Sequence, residues 1–364
     1  MKRLCAILVL LLLLSGCSGL YDGSYHAKTP FTELVNSQTQ TMTSASNYAE
    51  LRDALADLVE AGVENGTISV QKMEAEDVEK NMVQAVRAVM ATNPIAAYAV
   101  EEILYEQGTR GGEEAVAVTI RYSRNSSEIR KIRTCPDVQS VWQAVKTAVD
   151  NCEHSLVLRL TSYVQTDYHQ RIRDYADDNP QKVMEIPQVT VTTYPDTGTD
   201  RVVVIQFAYQ TGSDQLKSMQ AYVQPVFSAA RLYVQGDGEA EVKYAQLYAF
   251  LMERYDYTFQ TSITPTYSLL RYGVGDSRAF AQVYAAMCRD AGLSCQVVTG
   301  TYQGEARFWN MIQLDGVYYH VDLLRCNAEG GFAVFTDGDM HAYVWDYSAY
   351  PQCVLPAETN LPES

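Results

Sequence analysis

Apolar residues fall into two rhythms along this chain, and the rhythms mark its elements. Over residues 47–61, Tyr48, Leu51, Leu55, Leu58 and Val59 recur at threes and fours, which predicts an amphipathic helix with Asn47 as its cap. From Gly66 to Ser123 a short strand (Ile68, Val70) precedes a helix carrying Val78, Met82, Val86 and Val89. Asn93-Pro94 breaks that helix, because the residue before proline is pushed out of helical geometry. Strands over Ala96–Tyr105 and Ala115–Tyr122 follow, joined near Gly111-Gly112. The same order returns from His154 to Tyr209: a strand (Leu156, Leu158, Leu160), a helix over Asp167–Ala176 ended by Asn179-Pro180, and strands Val189–Tyr194 and Val202–Tyr209. The chain thus carries two β-α-β-β units, each followed by a further helix, over Asp137–Asp150 and Gln215–Ala230. They read either as modules presenting a binding surface or as a duplicated scaffold.

Beyond the repeats, Val242, Ala245, Leu247, Tyr248, Leu251 and Met252 give residues 241–255 a broad apolar helical face. A second helix opens at Ser277 and stops at Gly292, with Phe280, Ala281, Tyr284, Ala285 and Cys288 on one face. Strands are expected over Gln296–Thr301, Phe308–Leu314 and Val317–Asp322, the last two joined as a hairpin at Asp315-Gly316.

This last stretch resembles the core of the bacterial transglutaminase-like family, relatives of papain-type cysteine peptidases. The residues that carry the likeness are Trp309-Asn310-Met311-Ile312, Leu314-Asp315-Gly316 and Tyr319-His320-Val321-Asp322, with Phe335-Thr336-Asp337 and Trp345-Asp346 further on. The family sets a nucleophilic Cys at the helix start, a His on the next strand and an Asp on the third. By the resemblance, Ser277 stands at the Cys position, Arg307 at the His position, and Asp322 is retained. A thiolate at a helix start attacks carbonyls, whereas a serine hydroxyl needs a base, and a guanidinium stays protonated and cannot be one. Ser277, with Asp276 before it, reads as a helix cap, and Arg307 with Asp322 as a charge-assisted pair that replaces the family's His–Asp pair. Cys288 reads as a small buried apolar residue. His320, two residues from Asp322 on a strand, is expected to share its face.

The chain's beginning sets an expected compartment. Lys2-Arg3 precedes an apolar run from Leu4 to Leu14, shorter than the about 20 residues a spanning helix needs, and it reads as a secretory signal. Leu14-Ser15-Gly16-Cys17 looks like a bacterial lipobox, which implies cleavage before Cys17 and its lipidation. Residues 1–16 are then a lipoprotein signal peptide and 17–30 a tether. Residues 31–151 and 152–235 are two α+β repeat modules, and 236–364 a transglutaminase-like domain. The expected site is the extracytoplasmic face of a membrane in the bacterial cell envelope, with the membrane as partner through Cys17.

A net charge of −16 and the lack of any Lys/Arg block exclude nucleic acid and anionic headgroups as partners. Six cysteines besides Cys5 and Cys17 permit disulfides in an exported chain. Cys135 and Cys152 bracket an expected helix whose ends lie roughly 25 Å apart, which disfavours a bridge between them. No cofactor is implied, and no cysteine spacing forms a metal site, with no C-x-x-C and no nearby His pair. The oligomeric state stays open. With the Cys and His positions both substituted, the expected function is non-catalytic: a peptide- or cell-wall-binding or scaffold lipoprotein. The alternative is an active hydrolase or acyltransferase using Ser277 or a rearranged site.

Overall fold

The computed structural model describes residues 32–33, 42–71, 73–234 and 238–355. The expected signal peptide, Cys17 and tether lie outside them. The architecture is mixed α+β, with eleven α-helices and several sheets among the described residues. It divides into two units: residues up to Thr134 with Thr193–Val202, and Cys135–Thr192 with the chain from Val203 onward.

In the first unit, five strands lie in the order Thr32–Glu33, Val100–Arg110, Glu113–Tyr122, Asn65–Ser69 and Met42–Ser44. Helix Tyr48–Glu60 turns Leu51, Leu55, Leu58 and Val59 inward, as its spacing predicts, and packs against helix Ala75–Thr92. The Asn47 carboxamide caps it by accepting from the Glu50 N–H. Asn93-Pro94 does more than break a helix. The Asn93 side chain accepts from the backbone N–H of Ile95 and Ala96 and opens a second helix, Pro94–Ala99, with proline in the first turn where no donor is needed. The strand expected from Ala96 therefore starts at Val100.

A four-stranded sheet that lies mostly in the second unit has its strands in the order Arg133–Cys135, Ser155–Leu160, Arg201–Ala208 and Gln188–Tyr194. Its core joins Val141, Val145 and Val149 of helix Val138–Asp150 to Leu158, Ile172, Val203, Ile205 and Phe207. That helix was expected to trail the first repeat, with a boundary at 151/152. Its apolar face instead belongs to the second sheet, and the unit begins at Cys135. The repeat is thus strand–helix–strand–helix–strand–strand in both copies. Asn65–Ser69, Val100–Arg110 and Glu113–Tyr122 occupy the same relative sheet order as Ser155–Leu160, Gln188–Tyr194 and Arg201–Ala208.

Helix Ser213–Tyr233, expected to close the second module, turns Leu216, Met219, Val223 and Phe227 into the C-terminal core. There they meet helix Ala240–Met252 and the enclosed helix Ser277–Asp290, whose residues are buried on nearly every side. Tyr244 donates to the Ser294 carbonyl at 2.6 Å, and Tyr284 to the Tyr244 carbonyl at 3.0 Å. Both hydroxyls are satisfied, so the two rings can be buried whole. The helix packs on a four-stranded sheet ordered Val317–Val321, Glu305–Leu314, Cys295–Tyr302, Tyr343–Trp345, antiparallel throughout. Asp315 and Gly316 link two of these strands with φ of 50° and 85°. Those values are the left-handed pair that a two-residue hairpin turn requires.

Candidate functional site

The helix start is held by short side chains. Asp276 is the cap: its carboxylate accepts from the Ala279 N–H at 2.9 Å. Ser277, expected to share that role, is the first helical residue, and its Oγ accepts from the Phe308 N–H at 3.3 Å. A side chain at Gly275 would stand 3.0 Å from Leu269 and 3.1 Å from Ala279, so the bare residue lets the helix start tuck in without those side chains giving way. Ser277 is 7% exposed. Among the described residues no His, Asp or Glu side chain bonds its hydroxyl.

Phe308 follows Arg307, and Arg307 forms the expected pair. Its Nε and Nη2 donate to Asp322 Oδ2 and Oδ1, each at 2.8 Å. Asp322 is 1% exposed and serves three further donors. The Tyr343 hydroxyl reaches it at 2.8 Å, and the backbone N–H groups of Leu324 and Arg325 reach it at 3.0 and 3.3 Å, since Asp322 also caps helix Leu323–Glu329. A carboxylate has about four lone-pair directions, and five donors occupy them. Burial works against the Arg307 charge, but the bonds and charge of Asp322 outweigh it and raise its pKa. Burial, with Asp322 beside it, pushes the Tyr343 hydroxyl far up as well. The arrangement brings Ser277, Arg307 and Asp322 together through one backbone N–H and one bidentate pair, and no member of it is placed to accept a proton from Ser277.

His320, expected to share a face with Asp322, makes its bonds elsewhere. It is fully buried, and its Nδ1 accepts from Trp309 Nε1–H at 3.0 Å. Indole nitrogen only donates, so the ring proton sits on Nε2 and is given to Asp337 Oδ1 at 2.9 Å. Burial lowers the His320 pKa, and Asp337 partly restores it. Asp337 in turn accepts from the Cys353 N–H at 3.2 Å, and its own N–H donates to the Cys353 carbonyl at 2.8 Å. His320, Asp337 and Cys353 thus cluster with their polar atoms within 4.8 Å of one another, a group of metal-ligating types that spacing did not reveal. With Trp309 on one nitrogen and a proton on the other, His320 keeps no lone pair for an ion. Trp309 lies across Gly300, where any side chain would collide with the Val344 carbonyl oxygen and come within 2.7 Å of the indole ring. Cys288 is fully buried as expected, and desolvation drives its thiol pKa well up, the reverse of what a nucleophile needs. Residues 135, 152, 288, 295, 326 and 353 are all buried free thiols.

A second concavity was not foreseen. A cleft of about 210 Å³ lies between the Gln181–Ile186 turn and the start of the Ser277 helix, floored by Val183, Met184 and Pro265. Glu185 lines it, 5% exposed, and accepts from the Gln210 and Thr211 backbone N–H groups. No Lys or Arg pairs with it among the described residues. On the other side Arg278 Nη2 meets Asp177 Oδ1 at 2.8 Å, an oxygen that also accepts from Gln282, while Arg278 Nε is buried with no acceptor. The one sequence cue was an acid set between apolar neighbours in Val183-Met184-Glu185-Ile186, a stretch with no period to read.

The transglutaminase-like superfamily model matches residues 228–353, and this region is a transglutaminase-like domain. Among solved structures, a TGase is similar at 8% identity and a TM-score of 0.26, covering 53% of this chain and 58% of its own. A protein named as a candidate cysteine protease from Cytophaga hutchinsonii is similar at 12% identity and TM-score 0.26, covering 43% and 70%. A candidate protease from Parabacteroides distasonis is similar at 10% and 0.23, covering 70% and 39%. The chain spans less than two thirds of the length of the first of these. No curated protein matches it.

Proposed function

We propose that this chain is a lipid-anchored protein of the bacterial cell envelope whose transglutaminase-like domain binds or scaffolds peptide or cell-wall material without turning it over. Ser277 and Arg307 stand, in this reading, where the family keeps its nucleophile and its base, and Cys17 carries the acyl chains on the extracytoplasmic face. The observation that carries the reading is the saturated Asp322. Its carboxylate is committed to Arg307, Tyr343 and a helix start, so it cannot orient an imidazole, and no imidazole bonds it among the described residues. The serine hydroxyl has a backbone donor and no base, which leaves it unactivated.

The test uses the chain from Ser18 onward beside its Ser277→Ala variant. Both are incubated with cell-wall peptides and with protein substrates plus primary amines, and products and retained ligands are read by mass spectrometry. The expected result is no product from either and the same retained ligand on both. Product formed by the parent and lost in the variant would make this a hydrolase or acyltransferase and overturn the reading.

A further inference from the structure

We infer that the cleft between the Gln181–Ile186 turn and the Ser277 helix is a binding site for a short zwitterionic peptide. It takes an ammonium group at Glu185, a carboxylate or carbonyl oxygen at Arg278 Nε, and an aliphatic side chain against Val183, Met184 and Ile263. Three independent features meet here. The first is space: a water needs about 10–15 Å³, so about 210 Å³ holds a dipeptide with solvent to spare. The second is Glu185, 5% exposed, whose only partners among the described residues are two backbone N–H groups. Those bonds orient it but leave its charge uncompensated, and a buried charge without a counter-charge is costly. The third is Arg278 Nε, a buried donor with no acceptor, and such orphans in native structures mark an unseen water or ligand.

The charge pattern selects the ligand class. The lining carries one acid, Glu185, and one base, Arg278, and Asp177 behind it offsets part of the Arg278 charge, so the lining offers no surplus of positive charge. A phosphate or other polyanion is therefore not favoured, and a simple amine leaves Arg278 Nε empty. A group carrying both charges satisfies both walls. Glu185, Gln210, Met184 and Ala176 come from the repeat module, while Arg278, Gln282, Thr266 and Ile263 come from the transglutaminase-like segment. The added module therefore builds one wall of a site that the C-terminal segment alone lacks.

The proposal takes its peptide class from the binding reading above, but its test does not depend on Ser277. The full-length chain, purified in detergent, is titrated calorimetrically with the dipeptide Ala-Leu, with N-acetyl-Ala-Leu and with Ala-Leu amide. Ala-Leu is expected to bind, and acetylation and amidation are each expected to weaken it at least about tenfold, since each removes one charge. Glu185→Gln should weaken Ala-Leu as acetylation does and make the protein indifferent to acetylation. Ile263→Asp, at a rim residue 52% exposed whose replacement leaves the fold alone, should weaken all three. Equal affinity for the three ligands, an unchanged affinity in both cleft variants, or no heat of binding at millimolar ligand would overturn the proposal. A parent that shows turnover yet keeps this pattern would overturn the non-catalytic reading and leave the cleft standing.

Discussion

Two carboxylates in the same unit, Asp322 and Glu185, are buried to nearly the same extent, 1% and 5% exposed, and are treated in opposite ways. Asp322 has a guanidinium in bidentate contact, a tyrosine hydroxyl and two backbone donors. Glu185 has two backbone donors and no cation among the described residues. The first is a closed circuit in which every lone pair is spent, and it can only hold structure. The second is oriented but electrically open, beside space and an orphaned donor. In the proposed reading, the position that the resemblance assigns to catalysis holds structure, and the group open to a ligand sits where no catalytic motif pointed.

The largest effect is expected from making Asp322 resemble Glu185. Arg307→Ala removes the counter-charge and leaves a buried carboxylate with donors but no cation. Breaking a buried pair costs about 3–5 kcal/mol, so denaturant unfolding should lose about that much. Arg307→Ala combined with Asp322→Asn should lose less than the two single variants summed, because the stranded charge is gone. An unchanged midpoint for Arg307→Ala would mean that the pair holds nothing and that the contrast between the two carboxylates is one of drawing rather than energy.

How much of this contrast could be read in advance depends on the range of each contact. Helix Ser277–Asp290 and the strands after it were legible because Phe280, Tyr284 and Cys288 keep a helical period and Asp315-Gly316 is a strong turn signal. The Arg307–Asp322 pair was legible because both residues lie in the short-range pattern that carries the family resemblance. Tyr343 was not. It arrives on a three-residue strand that pairs with the far edge of Cys295–Tyr302, and nothing local in Tyr343-Val344-Trp345 announces that register. The partners of His320 were not legible for a related reason: Trp309 comes from the neighbouring strand and Asp337 from beyond the helix that Asp322 caps, and alternation along Val317–Val321 names neither. The Val138–Asp150 helix was attached to the wrong repeat because amphipathicity shows that a face is buried and not against which sheet. Glu185 sits in a turn with no period, where sequence offers only a lone acid among apolar residues.

A smaller effect sharpens the Asp322 side of the comparison. Tyr343→Phe removes one hydroxyl from the carboxylate and keeps the ring packed on Trp309 and Tyr302. A hydrogen bond to a charged group contributes about 1.5–3 kcal/mol, and the loss in denaturant stability should fall there, below that of Arg307→Ala. A loss as large as that of Arg307→Ala would mean the tyrosine, rather than the arginine, holds the carboxylate in place.

The smallest effect concerns another pair, buried His320 with half-buried Asp337, and it is read through pH. Burial holds the folded pKa of His320 below its ordinary value of about 6.5. As pH falls through about 6.5, the unfolded chain takes up a proton that the folded chain refuses, so the unfolded state is favoured. The stabilisation is complete above the unfolded value and is lost on acidification towards the folded one. His320→Gln keeps an acceptor for Trp309 and a donor for Asp337 but cannot titrate. Melting temperature followed from neutral pH downward should therefore fall in the parent before its carboxylates begin to protonate, and stay flatter in the variant over that window. Parallel curves would mean that Asp337, 2.9 Å away, fully offsets the cost of burial and that His320 charges in place. The pair would then behave like Arg307–Asp322 rather than as the neutral bridge its Trp309 bond describes.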